Sequence, residues 1–213
     1  MQKLVLNPDK GLIFRIVRKE NVGWILQNGI HAQNSGLRDP NFLPIGNPGL
    51  ISKRSYRSVP IGPGGVLSDY VPFYFTPYSI MLYNIVTGHG VSRVERPDIV
   101  IAVSSLARVR AAGGQFIFTD GHAYAAATTY YDDPADLVRL DWALLNRRDF
   151  RNDPEDPGKK ERYQAEALVW KMVPAGSLLA ICCHNESIAT ALRQAAQQSP
   201  SRIEIRAQPD WFL

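Results

Sequence analysis

A mixed α+β domain with a split or bent sheet is the architecture this sequence predicts, and three observations carry it. Strand-like apolar runs come early, in the middle and late in the chain. Helical stretches fall between them irregularly, without the steady strand–helix repeat that builds a doubly wound parallel sheet. The glycine-rich segments 62–65 and 112–114 match neither a GxGxxG turn nor a GxxxxGK[ST] loop, so no Rossmann or P-loop assignment is warranted.

The elements follow in order. Residues 11–17 (GLIFRIV) read as a first strand and 20–27 (ENVGWILQ) as a short helix stopped by Gly29. Residues 34–48, rich in Asn, Gly and Pro, form a loop long enough to be functional. Residues 51–57 are a helical turn or the end of that loop, and 60–65 (PIGPGG) a further turn. Residues 70–75 (YVPFYF) read as a strand, with Pro72 arguing for an edge or a bulge. A helix is expected over 79–86 with Ser79 near its start, then strands at 99–104 and 115–119. Residues 136–145 resemble a helix and 146–161 a long polar loop. Strands at 165–170 and 178–183 follow. Ser187 is the expected cap of a helix over 188–198, and 202–206 (RIEIR) closes the chain as a strand.

At 213 residues the chain reads as a single domain with a substantial core. No apolar run approaches the roughly 20 residues of a membrane helix, and the first residues (MQKLVLNPDKG) lack an apolar core of signal-peptide length. The two cysteines, Cys182 and Cys183, are adjacent and cannot make an ordinary long-range bridge with each other. A reduced cytoplasm is therefore expected. The net charge of +4 is unevenly placed. Arg15, Arg18, Lys19, Arg38, Lys53, Arg54 and Arg57 face few acids. Arg147, Arg148, Arg151, Lys159, Lys160 and Arg162 form a second cluster diluted by acids. Basic surface suits a polyanion such as nucleic acid or a dinucleotide, although a solvated charged face is the commoner explanation of any one cluster.

Three constellations could carry chemistry. Cys182-Cys183-His184 is the densest run of soft metal ligands, but neighbours on a strand point to opposite faces, so no metal site is expected. No GxSxG elbow or catalytic-cysteine signature accompanies the four histidines. His122, in a Gly turn after a strand, is a candidate working side chain, with a histidine bonded to a loop carbonyl as the alternative. Glu166 opens the run AEALVW, where burying an unpaired carboxylate would cost several kcal/mol. It is either a surface acid on an edge element or part of a site for a cationic, sugar-like transition state. Arg54, forking to phosphate or a base edge, would complement it at the anomeric carbon of a nucleotide. In isolation two residues so far apart mean little.

Five segments, in order, resemble one family. They are 63–75 (PGGVLSDYVPFYF), 78–83 (YSIMLY), 118–123 (FTDGHA), 164–169 (QAEALV) and the ending Asp210-Trp211-Phe212. The resemblance is to the DarT family of bacterial DNA ADP-ribosyltransferase toxins and covers nearly the whole chain. It implies an ADP-ribosyltransferase fold over residues 1–213, with a split mixed sheet flanked by helices and NAD+ bound between the sheet halves. It implies transfer of ADP-ribose to a base in single-stranded DNA with release of nicotinamide, and a cognate antitoxin that removes the modification. RNA or protein acceptors, or a non-catalytic nucleic-acid-binding module, are the alternatives.

By the same resemblance Glu166 takes the place of the catalytic glutamate and Arg54 that of the catalytic arginine. Residues 34–53 would fold over NAD+, and 146–163 would recognise the substrate. Arg15, Asn21, Tyr74, Met81 and Tyr83 are implied at the NAD+ cleft, with Asn21 near the nicotinamide end. His122, Arg147, Arg148 and Arg151 are implied at the DNA. One departure stands out. Where many members read Tyr/Trp-His-Ile/Phe-Thr on the first strand, this chain has Phe14-Arg15-Ile16-Val17. Arg15 in place of histidine suggests a divergent subfamily, in which guanine is an alternative to the family's common target, thymine.

Overall fold

The computed structural model describes residues 4–197 and 203–212. Its strands are β1 (Leu12–Arg18), β2 (Ile30–His31), β3 (Tyr70–Tyr74), β4 (Ile99–Ser105), β5 (Phe116–Thr119), β6 (Tyr130–Tyr131), β7 (Glu166–Trp170), β8 (Met172–Val173), β9 (Ala180–Cys183) and β10 (Glu204–Ala207). Its helices are α1 (Val22–Asn28), α2 (Pro48–Lys53), α3 (Ile80–Thr87), α4 (Leu106–Ala111), α5 (Trp142–Arg147), α6 (Lys159–Arg162) and α7 (Glu186–Ala196). Among the described residues, eight strands form one sheet in the order β10-β9-β4-β1-β3-β7-β5-β6, and β2 pairs with β8 separately. Neighbours run antiparallel except β9 and β10, which are parallel and joined through α7.

The sheet is split at its middle. β1 pairs with β4 over seven residues and β3 with β7 over five. Between β1 and β3 one pair remains, Phe14 opposite Tyr74. Pro72 belongs to this gap. The expected edge or bulge is not what the structure shows, because Pro72 lies inside the sheet opposite Leu168 of β7. In an extended strand a residue's N and O face the same side. The Pro72 carbonyl accepts from Arg15 Nη1 at 2.8 Å, so its ring nitrogen also faces the gap. There, a missing N–H removes no ladder bond.

The core lies on both faces of the sheet. All seven residues of β4 are buried, and fully buried Phe14, Phe73 and Phe118 pack with it into one cluster. Each such side chain contributes about 1.5–3 kcal/mol by leaving water. A smaller cluster, centred on Leu67, Tyr70, Ile117 and Leu168, sits beside it. Gly29 ends α1 at φ +84°, and a Cβ there would lie 2.3 Å from the Val173 carbonyl oxygen. Only glycine fits where α1 hands over to β2.

Some boundaries differ from the sequence reading. The helix expected over 136–145 is two pieces, a 3-10 turn at Pro134–Arg139 and then α5. Asp141 separates them by accepting a cap bond from Leu144 N–H. The loop expected over 146–161 already contains the start of α6. Asn185, not Ser187, caps α7, accepting from Ile188 N–H at 3.0 Å. Gln198 and Arg202, named in the expected last helix and strand, lie outside the described residues. The expectation of strand 202–206 meets β10, shifted slightly later.

Candidate active site

Glu166 begins β7, which pairs with β3 on the edge away from the split. Its register opposite Tyr74 puts both side chains on one face of the sheet. The residue is 2% exposed, which rules out a surface acid. Two donors hold the carboxylate. Oε2 accepts from Arg54 Nη1 at 3.0 Å, and Oε1 from the Ala123 N–H at 2.9 Å. The Glu166 N–H donates to Thr119 Oγ1 at 3.2 Å, tying the strand end to β5.

Arg54 is delivered by local sequence. Asn47 caps α2, accepting from Leu50 N–H, with Pro48 in the first turn, and a 3-10 turn then starts at Arg54. Its guanidinium is buried, and Nη2 has no partner. Arg15 reaches the same space from β1, holding the Pro72 carbonyl. Burial, reinforced by the Arg54 charge, lowers its pKa to about 10, so it remains charged at neutral pH. Burial and the Glu166 carboxylate push the Tyr74 hydroxyl well above its ordinary value, so it stays protonated. Two guanidiniums against one carboxylate leave a site with surplus positive charge and a free buried donor. An anion would satisfy both.

These side chains line a cleft of about 420 Å³, with Trp24, Ile45 and Met81 forming apolar wall. Residues 37–39, 42 and 44–47 of the long loop close over it. Asn21 clasps that loop. Its Nδ2 donates to the Leu43 carbonyl at 2.8 Å, and its Oδ1 accepts from the Leu43 N–H at 2.9 Å. The amide expected at the nicotinamide end is thus committed to the backbone of the loop. Met81 comes from α3, which Ser79 caps by accepting from Leu82 N–H. His122 also lines the cleft, with Nδ1 3.8 Å from Glu166 Oε1 and accepting from the Tyr124 N–H.

Not every expected residue meets here. Tyr83 is 41% exposed on α3 and packs edge-on against Phe150, away from the cleft. Arg147, Arg148 and Arg151 do not line the cleft. The Arg148 guanidinium lies 3.7 Å over the Tyr78 ring, from a backbone at φ +57°. Arg151 pairs with Asp149, which also takes Lys159 Nζ at 2.8 Å. Arg162 is held by Asp156 and Asp141. Much of this basic stretch is therefore neutralised by its own acids.

Sequence reasoning missed the Ala123 N–H, a backbone donor with no residue-type signal, although it lies in the FTDGHA segment. It also missed the 121–125 loop's supports. Arg57 Nη2 donates to the Ala125 carbonyl at 3.1 Å, and the Tyr130 hydroxyl donates to that of Ala123. Cys182 and Cys183 are buried and unpaired, and burial pushes the Cys182 thiol up to about 12. Among the described residues, no cluster of His, Cys, Asp and Glu could hold a metal ion. None of the helices among the described residues is long and apolar enough to cross a membrane.

Residues 14–213 match the model of the family described as ssDNA thymidine ADP-ribosyltransferase, DarT. A DNA ADP-ribosyl transferase of Escherichia coli O127:H6 is 48% identical over 209 residues, covering 98% of this chain and 96% of the relative. One from Thermus sp. (strain 2.9) is 31% identical, covering 96% of this chain and 97% of the relative. Among solved structures, Thermus sp. 2.9 DarT in complex with ADP-ribosylated ssDNA superposes with a TM-score of 0.89, at 29% identity over 100% of both chains. The same protein in complex with NAD+ gives 0.83 at 30% identity, over 97% of this chain and 99% of that one.

Proposed function

Because the chain belongs to the DarT family of ADP-ribosyltransferases, we propose that it transfers ADP-ribose from NAD+ to a base of single-stranded DNA, as the toxin of a toxin–antitoxin pair. It is an NAD-dependent DNA ADP-ribosyltransferase with the family's fold. The observation that carries the reading is Glu166 held between Arg54 and the Ala123 N–H, beside Arg15, on one wall of the cleft.

The cleft fits NAD+ on its own chemistry. Arg15 and the unpartnered Nη2 of Arg54 are donors for a diphosphate, and Trp24 and Ile45 offer apolar wall to a ring. NAD+ supplies an anomeric carbon bearing nicotinamide as leaving group. Glu166 stabilises the positive charge that develops there. Each carboxylate oxygen accepts one hydrogen bond in the structure, which leaves capacity for a ribose hydroxyl. Arg54 fixes the carboxylate through Nη1 and acts electrostatically, since a guanidinium is a poor base. His122, beside Glu166, belongs to the wall the acceptor approaches. Single-stranded DNA needs no duplex opening to present its base.

Thymine is the base that the family's description names. Arg15 in the place of the family's histidine keeps guanine in the test. The toxin role, and an antitoxin that strips ADP-ribose from DNA, rest on family membership. Unpaired Cys182 and Cys183 suit a reducing cytoplasm. The deciding experiment offers labelled NAD+ with single-stranded oligonucleotides that each lack one base. Label should enter every oligonucleotide except one, with nicotinamide released in equal amount. Label entering RNA or protein and no DNA would replace this reading.

A further inference from the structure

Two exposed tyrosines flank the segments that hold the Glu166 carboxylate. One segment runs from Arg54, whose Nη1 takes Oε2, and the other carries the Ala123 N–H that takes Oε1. Arg57 Nη2 joins them through the Ala125 carbonyl at 3.1 Å. Immediately before each end of that bond lies a tyrosine, Tyr56 at 84% exposed and Tyr124 at 36%. An aromatic ring left so far in water forgoes the burial that the fold gives Phe14 or Phe73. Lys53, three residues before the first tyrosine, is exposed, and half-buried Arg57 follows that tyrosine as a second cation. Aromatic faces interleaved with cations are the chemistry that holds single-stranded nucleic acid without reading its sequence.

We propose that Tyr56 and Tyr124 form a stacking platform for the bases flanking the target nucleotide in single-stranded DNA, with Lys53 and Arg57 facing its phosphates. The inference rests on the function proposed above and deepens it. Arg54 and His122, from the Arg54–Arg57 and 121–125 segments, both line the cleft, so an acceptor meeting Glu166 there lies next to the segments that carry the two rings. The rings position the strand so that one base is presented to the cleft while its neighbours stay stacked.

The test combines protein and DNA changes. Transfer is measured for wild type, Tyr56→Ala and Tyr124→Ala on an oligonucleotide with one modifiable base. Its neighbours are replaced in turn by abasic sites. Each alanine variant should raise KM for DNA roughly 5- to 100-fold, the range that base–aromatic stacking implies. Tyr→Phe at either position should restore it, and the NAD+ dissociation constant should not move. The abasic substitution facing the altered ring should cost wild type the same factor and cost the variant nothing more. Additive penalties, an unchanged DNA KM in both alanine variants, or a parallel loss of NAD+ affinity would overturn the platform while leaving the enzyme reading intact. A wild type that modifies no single-stranded DNA would overturn both.

Discussion

Glu166 and Arg54 meet across 112 residues of sequence in a buried ion pair, Nη1 to Oε2 at 3.0 Å. The pair matters to the fold as well as to the proposed chemistry, because both charges are buried and the Arg54 Nη2 has no partner.

Removing the acid should therefore harm the fold and the reaction together. Breaking a buried pair by deleting one partner costs about 3–5 kcal/mol, or roughly 6–20 °C in a domain of this size. Glu166→Ala should lose transfer by a factor of about 10³ or more and melt earlier. Glu166→Ala/Arg54→Met should recover part of the lost stability and none of the transfer. Calorimetry and labelled-NAD+ assays read the two effects separately. A double variant less stable than either single one would sink the pairing argument.

Asn21 acts through the loop it clasps. Asn21→Ala strips the Leu43 N–H and C=O of their partners, worth about 1 kcal/mol each. KM for NAD+ should rise about 10-fold or more, with kcat changed far less. The Leu43 amide should exchange faster with solvent. Asn21→Asp keeps the acceptor for the Leu43 N–H and loses the donor, so it should fall between. A kcat loss with unchanged KM and unchanged exchange would return Asn21 to the reacting groups.

How much of this was legible in sequence depended on the kind of signal. The strands around the site were readable because β4 and β7 are apolar runs, and Ser79 marked a helix start by its type. Glu166 could be singled out because a carboxylate before such a run is costly unless held. What holds it could not be read, since one donor is the Ala123 backbone and the other is Arg54, far away in the chain. The split at Phe14–Tyr74 was foreseen only as a class of fold. Pro72 was the local clue, but proline reports a missing N–H bond and not which neighbour is absent. Tyr83 misled because it shares α3 with Met81, two residues apart and on a different face of the helix.

The arginines of the 146–163 stretch should matter less than their number suggests. Arg151 and Lys159 depress the Asp149 carboxyl strongly, and Arg162 lowers that of Asp156. Cations spent on these acids release few counterions on binding. The salt dependence of single-stranded DNA affinity should then be shallow, with a log–log slope of about −1 to −3, as for one to four phosphates. Arg151→Ala should leave that slope unchanged, whereas Lys53→Ala should reduce it by about 0.7. A steep wild-type slope that falls on Arg151→Ala would show the stretch to be open to DNA.

Arg15 is held in the fold at a cost that a bound anion would relieve. Its pKa of about 10 lies below the 12.5 of an unburied side chain, chiefly through burial. The folded state thus gives up this proton more readily than the unfolded chain. The destabilisation is fully present below about pH 10 and fades as pH rises towards 12.5. A shift of this size is on the order of 3 kcal/mol. Losing this charged bond to the Pro72 carbonyl costs about 1.5–3 kcal/mol, so burial wins by at most on the order of 1 kcal/mol. Arg15→Met should therefore raise the melting temperature of the ligand-free protein by up to about 4 °C while weakening NAD+ binding at least ~10-fold through the lost guanidinium. Urea titrations at pH 8 and pH 11 should show the variant's advantage shrinking at the higher pH. A variant less stable than wild type at pH 8, with NAD+ affinity retained, would make Arg15 a strut across the split and remove it from the NAD+ site.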